Sequence, residues 1–160
     1  IFFVYQIICF LLMGTGGLLL VSEKFYKGDK KITLKSSIII AIAQGLAVFP
    51  GFSRSGLTIS TALFQGVERY KAARFSFLMS IPVILLASLI YPIFELDFNS
   101  IMTFNLKAIA IGFLVSFVVG YLCIKYFMEL LKKFTLRFFG YYCLLVSVLM
   151  FVLFQAVRQF

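Results

Sequence analysis

The sequence predicts an all-α, polytopic membrane protein that combines transmembrane helices with one re-entrant helical hairpin. Hydrophobic residues make up 62% of the 160-residue chain, charged residues make up 13%, and the mean hydropathy is +1.07. Soluble domains are about 45–50% apolar, so one soluble core could not bury this much apolar surface. The apolar residues form long continuous runs, unlike the short alternating segments of a membrane β-barrel. One shorter run is broken by proline, glycine and arginine, and the basic residues on either side of it predict the hairpin.

Four apolar runs are long enough to cross a hydrocarbon core of about 30 Å at about 1.5 Å per residue. They cover about residues 1–21, 75–94, 108–127 and 138–156. Glycines in the first run predict a close helix contact there; they are Gly14, Gly16 and Gly17. All 160 residues are interpreted as a single transmembrane domain. Because the chain opens with Ile1 and enters an apolar run at once, we expect a fragment of a longer protein.

The broken segment covers about residues 38–67 and is predicted to form two short helices. Its first part, residues 38–49, is too short to span and ends before Pro50, which disfavours helical geometry in the preceding residue. The second helix is predicted to begin near Ser55 as its N-cap. It is predicted to end at Gly66, which suits a C-cap.

The basic residues decide between two topologies for this broken segment. If the segment crosses the membrane, the flanking stretches 22–37 and 68–74, with five and three Lys or Arg, lie on opposite sides. If the segment returns to the side from which it entered, the two flanking stretches and stretch 128–137 all lie on the cytoplasmic side. Stretch 95–107, with a single Lys, then lies on the outer side. The positive-inside rule favours the return, which is the re-entrant hairpin. The net charge of +9 therefore reflects membrane orientation, and no nucleic-acid partner is predicted.

The broken segment has the residues of an anion site at membrane depth. A charge there costs at least about 2.5–3.5 kcal/mol, so an arginine such as Arg54 is usually paired or functional. Its planar guanidinium suits phosphate oxygens, and the first amides of a helix lack intrahelical partners. The candidate catalytic residues are Ser53, Arg54 and Ser55, and the candidate substrate-binding residues are Gln44, Gly51, Gly56 and Thr58. The structural alternatives are an ion pair that locks Arg54 and a helix–helix hydrogen bond from Thr58.

These residues can bind a phosphate but do not supply its hydrolysis. The chain contains no histidine, and its six acidic residues lie in or near the loops. No metal ligand is therefore assigned within this chain. The three cysteines, which lie in apolar runs without a neighbouring metal ligand, are interpreted as small buried side chains; they are Cys9, Cys123 and Cys143.

The stretch from Pro50 to Thr58 reads P-G-F-S-R-S-G-L-T. It resembles the P-G-x-S-R-S-G-x-T signature of the undecaprenyl-pyrophosphate phosphatases, the bacitracin-resistance family, and the whole chain is similar to the C-terminal portion of that family. The resemblance implies hydrolysis of undecaprenyl diphosphate to undecaprenyl phosphate and phosphate at the bacterial plasma membrane, which recycles the lipid carrier for peptidoglycan synthesis. It also implies half of an inverted-repeat fold. Arg54 would then clamp the diphosphate, with hydrogen bonds from Ser53, Ser55 and Thr58.

The resemblance further implies a divalent cation, magnesium or calcium, as cofactor. Its ligands are expected in an N-terminal part that carries a glutamate-rich motif without a counterpart in this chain, so the isolated fragment is expected to be inactive. The expected partners are a polyprenyl diphosphate substrate and membrane lipids, and a homo-oligomer is left open. The alternative function is a transporter or flippase of an anionic lipid or small anion, because broken helices at the midplane also bind transported anions.

The charge pattern yields a topology prediction. Single cysteines introduced as Lys31→Cys, Lys71→Cys and Lys133→Cys, in a background without native cysteines, should react only with reagent on the cytoplasmic side. Lys107→Cys should react from the outside and serves as the control. The measurement is labelling by a membrane-impermeant maleimide in oriented vesicles. Outside labelling at position 71 would exclude the hairpin.

Overall fold

The computed structural model describes residues 2–26, 28, 30–95 and 106–158. Its helices are α1 (Phe2–Lys24), α2 (Leu34–Leu46), α3 (Arg54–Phe64), α4 (Arg69–Glu95), α5 (Leu106–Lys133) and α6 (Arg137–Arg158). The four long ones contain apolar stretches that can cross a membrane: Val4–Lys24, Arg69–Tyr91, Lys107–Lys133 and Arg137–Ala156. The prediction of a helical multi-pass membrane protein is thus confirmed. Most of the predicted outer stretch 95–107 lies outside the described residues.

Two stretches that the sequence predicts as basic loops are largely helical. Arg69, Lys71 and Arg74 lie in the first turns of α4, and residues 128–133 are the last turns of α5. Lys and Arg favour helices, and their long stems let the charged ends reach the interface while the helix continues. Hydropathy therefore marks where the lipid contact ends, whereas the helices extend further.

The short helix α2 begins and ends earlier than predicted. Thr33 is its N-cap: the Thr33 Oγ1 accepts from the Ser36 N–H at 3.3 Å, and the Thr33 N–H donates to the Ser36 Oγ at 2.6 Å. This reciprocal capping box satisfies two amides at the helix start. After Leu46 the chain tightens, because the Val48 N–H donates to the Gly45 carbonyl at 3.2 Å. Residues 47–49 are therefore a turn rather than helix.

The chain enters and leaves the α2–α3 pair at the same end. The Lys30 N–H donates to the Gly66 carbonyl at 3.0 Å, beside an isolated bridge between Lys30 and Val67. Gly66 has φ +84° directly after the last turn of α3, and its N–H donates to the Leu63 carbonyl at 2.8 Å. The prediction that Gly66 terminates the second short helix is thus confirmed. The stretch 30–67, called the α2–α3 excursion below, is therefore a segment whose two ends lie next to each other.

Helices α1 and α6 approach each other through glycine. A Cβ on Gly16 would lie 2.9 Å from the Gly140 carbonyl oxygen, and one on Gly140 would lie 2.8 Å from the Leu20 side chain. Gly14 and Gly17 have no such neighbour within 4 Å among the described residues, so the predicted glycine contact is found at Gly16. Such small-residue crossings let helix backbones pack closely in membranes, where van der Waals contact drives association.

A buried carboxylate joins three parts of the chain. Glu23, which is 5% exposed, accepts from the Arg69 Nε at 2.8 Å, the Arg69 Nη2 at 2.7 Å and the Leu136 N–H at 2.9 Å. The Arg69 guanidinium also lies 4.0 Å from the centre of the Tyr26 ring. Glu23 thereby fixes the end of α1 to the start of α4 and to the α5–α6 turn. The pattern of stretch 22–37 predicted only a basic segment and gave no sign of this contact.

The main cluster of buried apolar residues lies near this same end of the molecule. The core comprises Leu19, Ile40, Ile59, Ala62, Leu63, Val67, Ala72, Ala73, Leu131 and Leu136. By contrast, every residue of α4 from 81 to 91 and of α5 from 107 to 119 is exposed. These long apolar faces suit contact with lipid chains. Helix α3 therefore packs against α1, α2 and α4, whereas α2 packs against α3 alone among the described helices.

The two ion pairs near the start of α4 allow a matched test of burial. Glu23→Ala should cost about 3–5 kcal/mol of stability, because it leaves the Arg69 charge without its partner. Glu68→Ala should cost at most about 1 kcal/mol, since the Glu68–Lys71 pair lies at the surface. The measurement is reversible unfolding in mixed micelles. Equal losses for the two variants would contradict the structural role of Glu23.

Candidate functional site

The turn between α2 and α3 packs against the middle of α1. Gly51 has φ +110°, and a Cβ there would lie 2.8 Å from the Ile8 Cα and 2.9 Å from the Ile8 carbonyl oxygen. Both the backbone angle and the contact with another backbone require glycine. Gly51 is thus explained by its approach to α1, and a direct contact with ligand at this residue stays a prediction.

Ser53 is the N-cap of α3. Its backbone is extended (φ −75°, ψ 109°), and its Oγ accepts from the Gly56 N–H at 3.2 Å. Its own N–H donates to the Thr15 Oγ1 at 3.3 Å. The prediction that Ser55 caps this helix is wrong, because α1 fixes Ser53 in the capping position two residues earlier. A Ser at the cap satisfies one of the helix amides that would otherwise lack a partner.

Gly56 brings α3 against α1. It is buried, and a Cβ at this position would lie 2.5 Å from the Thr15 Cγ2. The Thr15 Oγ1, which accepts from Ser53, donates to the Leu11 carbonyl at 3.0 Å. Thr15 therefore positions α3 in two ways: its Oγ1 binds the N-cap residue Ser53, and its Cγ2 packs against Gly56 in the first turn.

Several donors at the start of α3 remain without acceptors. The Arg54 Nη2 is buried and has no hydrogen-bond partner in the described part of the chain. The amides of Arg54 and Ser55 are also without acceptors there, whereas Ser53 satisfies the amide of Gly56. Ser55 is exposed, so its hydroxyl can also reach a ligand. Buried donors are nearly always satisfied in native proteins, so the buried Arg54 Nη2 indicates an anionic ligand, and the helix amides beside it suit the same ligand.

The ion-pair alternative for Arg54 finds no support in the described residues. The salt bridges among them join Arg69 to Glu23 and Lys71 to Glu68. Gln44 on α2 has a buried Oε1 that also lacks a partner within the described ranges. Unpartnered polar atoms thus occur on both short helices, on either side of the turn.

Thr58 has a contact within the protein. It is 1% exposed, and its Oγ1 lies 2.6 Å from the Oγ of Ser76 on α4. It also lies 3.0 Å from the Arg54 carbonyl oxygen. The hydroxyl of Thr58 therefore links α3 to α4, as the helix–helix alternative expected. A contact between Thr58 and substrate stays a prediction.

The electrostatics of this site suit an anion. Within the described ranges, no three His, Cys, Asp or Glu side chains come together in a way that could hold a metal ion. The groups that lack partners at the start of α3 are an arginine nitrogen and backbone amides, all of them donors. A guanidinium combined with a helix N-terminus binds the oxygens of phosphate groups.

Comparison with known proteins identifies similar chains. A family model described as bacitracin resistance protein BacA matches residues 1–149. An undecaprenyl-diphosphatase from Methanobrevibacter smithii is 40% identical over 89% of this chain and 52% of its own length. Undecaprenyl-diphosphatase 2 from Halalkalibacterium halodurans is 40% identical over 90% of this chain and 53% of its own length. An undecaprenyl-diphosphatase from Methanothermobacter thermautotrophicus is 41% identical over 88% of this chain and 79% of its own length. The chain spans about half the length of the first two relatives.

The contact between Gly56 and Thr15 yields a prediction with an internal rescue. Gly56→Ala should cost about 1–3 kcal/mol of stability, because the new methyl group overlaps the Thr15 Cγ2. Thr15→Ser removes that methyl group and keeps the hydroxyl, so the double variant should regain part of the loss. Gly45→Ala is the control, since a Cβ at Gly45 has nothing within 4 Å. Unfolding in mixed micelles measures all four variants, and a Gly56→Ala protein as stable as the control would refute the contact.

Proposed function

The chain belongs to the bacitracin resistance protein BacA family, and on this basis we propose that the whole protein hydrolyses undecaprenyl diphosphate to undecaprenyl phosphate and phosphate. This chain would supply the phosphate-binding half of the site. The observation that carries the proposal is the buried Arg54 Nη2, which has no partner in the described residues and lies at the start of a helix with free amides. The names of the relatives favour a phosphatase, and they give no support to the transporter alternative.

The residues of this chain would bind and orient the diphosphate. The guanidinium of Arg54 offers paired N–H donors that match two phosphate oxygens, and the amides of Arg54 and Ser55 add further donors. The Ser55 hydroxyl would contribute one more hydrogen bond. Donors fixed in advance stabilise the charge that develops on a transferring phosphoryl group. Ser53, held by Gly56 and Thr15, would keep these donors in place.

The position of the turn along α1 supports a site within the membrane. Eight residues separate Thr15 from Glu23, which corresponds to about 12 Å along the helix, and fifteen separate Ile8 from Glu23, about 22 Å. Measured from Glu23 along α1, both distances are shorter than the thickness of a hydrocarbon core, which is about 30 Å. The Lys30–Gly66 hydrogen bond returns the chain to the Glu23 end. We therefore propose that α2 and α3 form a re-entrant hairpin whose turn faces the outer side.

Hydrolysis needs groups that this chain does not provide in its described part. A divalent cation, magnesium or calcium, is part of the proposal, but no cluster of described residues fits it. We infer that its ligands and the base lie beyond this stretch, since the chain spans about half the length of several relatives. The 160-residue chain alone would then bind the diphosphate without releasing phosphate.

The proposal is tested at Arg54 in the full-length protein. Arg54→Lys keeps the positive charge but loses the paired donors, so phosphate release from undecaprenyl diphosphate should fall by about tenfold or more. Arg137→Lys, the same change at an exposed residue of α6, should leave the rate unchanged. The measurement is the initial rate of phosphate release at saturating and limiting substrate. A full rate for Arg54→Lys with normal expression would refute the proposed clamp.

A further inference from the structure

A second polar feature lies at the end of α3 opposite to Arg54. A pocket of about 210 Å³ opens between the chain entering α2 and the first turns of α4. Three cationic and three apolar side chains line it: Lys31, Lys71, Arg74, Ile32, Phe75 and Leu78. The proposed phosphatase site uses none of these residues. We call this feature the basic pocket.

The charge at the basic pocket is largely uncompensated. Lys31 and Arg74 are exposed, and neither has an ion-pair partner among the described residues. Lys71 pairs with Glu68 at 2.7 Å. A neighbouring pocket shares Lys31 and adds Lys30 and Lys35. The two pockets are therefore lined by five cations, and among the described residues only Lys71 of these five has an ion-pair partner, so this surface attracts anions.

The basic pocket continues into an apolar strip along α4. Arg74, Leu78, Ile81 and Leu85 follow one another at helical spacing and share one face. The three apolar members of this strip are exposed, at 55%, 51% and 57% respectively. From Arg74 to Leu85 the rise is about 16 Å, which is about half of a 30 Å hydrocarbon core. The strip is therefore as deep as one leaflet.

We propose that the basic pocket binds an anionic phospholipid of the cytoplasmic leaflet. Lys31, Lys71 and Arg74 would hold the phosphodiester, and one acyl chain would lie along Leu78, Ile81 and Leu85. A free anion would use only the cations, whereas the pocket is half apolar and opens onto the strip. The basic stretches point to the cytoplasmic side, where anionic lipids give the membrane surface a negative potential. Charge and depth thus both match a phospholipid.

The test compares lipid retention by the full-length protein. Native mass spectrometry would measure how much phosphatidylglycerol and how much phosphatidylcholine, with identical acyl chains, stay bound after release from micelles. We expect the wild type to prefer phosphatidylglycerol. The double variant Lys31→Gln/Arg74→Gln should lower that preference by about tenfold or more. The control Lys24→Gln/Lys133→Gln removes the same charge from exposed residues outside the pocket and should keep the preference.

Further measurements separate the other occupants of this surface. Inorganic phosphate and deacylated glycerophosphoglycerol at millimolar concentration should not displace the lipid, and displacement would assign the pocket to a free anion. Leu78→Gln, which keeps every charge, should also weaken retention. Equal retention of both lipids by the wild type would overturn the proposal. So would an unchanged preference in the double variant, as expected if a second copy of the chain covered the pocket. Circular dichroism verifies that each variant remains helical.

Discussion

The buried carboxylate of Glu23 is the constraint from which the arrangement of this chain follows. A charge without solvent must be compensated, and the Arg69 side chain and the Leu136 amide compensate this one. Arg69 comes two residues after Val67, where the α2–α3 excursion ends. The contact between Glu23 and Arg69 therefore sets the position along α1 at which the segment 30–67 begins and ends. The turn then meets α1 near Ile8 and Thr15, so the position of Arg54 depends on a contact far from it.

Some residues of the P-G-F-S-R-S-G-L-T stretch pack within the protein, whereas others are available to bind a ligand. Gly51 and Gly56 permit contact with α1, Ser53 caps α3, and Thr58 joins α3 to α4. Arg54 and Ser55 carry donors that have no acceptor in the part of the chain that the structure describes. A residue can thus be required in such a motif without touching a ligand, because it holds in place the neighbour that does. Substitutions at the packing positions and at Arg54 are therefore expected to fail for different reasons.

The sequence predicted the parts of this fold that depend on lipid and on charge. Apolar run length predicted the four long helices, and Gly66 predicted the end of α3, because both signals are local. The cap at Ser53 rather than Ser55 was missed, since the choice is made by Thr15, 38 residues away. The pairing of Glu23 was missed because its partner lies 46 residues away. Local patterns predict where elements lie, whereas contacts between distant elements decide which of two similar residues takes a role.

The crossing of α1 and α6 has a consequence for biogenesis. Gly16 and Gly140 touch through their backbones, yet 124 residues separate them in the sequence. At a synthesis rate of about 5–20 residues per second, α1 waits roughly 6–25 s before its glycine partner has been made. During this interval α1 already has α3 available, through Thr15, Ser53 and Gly56. The nascent protein can therefore assemble its turn on α1 first, and the last helix, α6, then packs against α1.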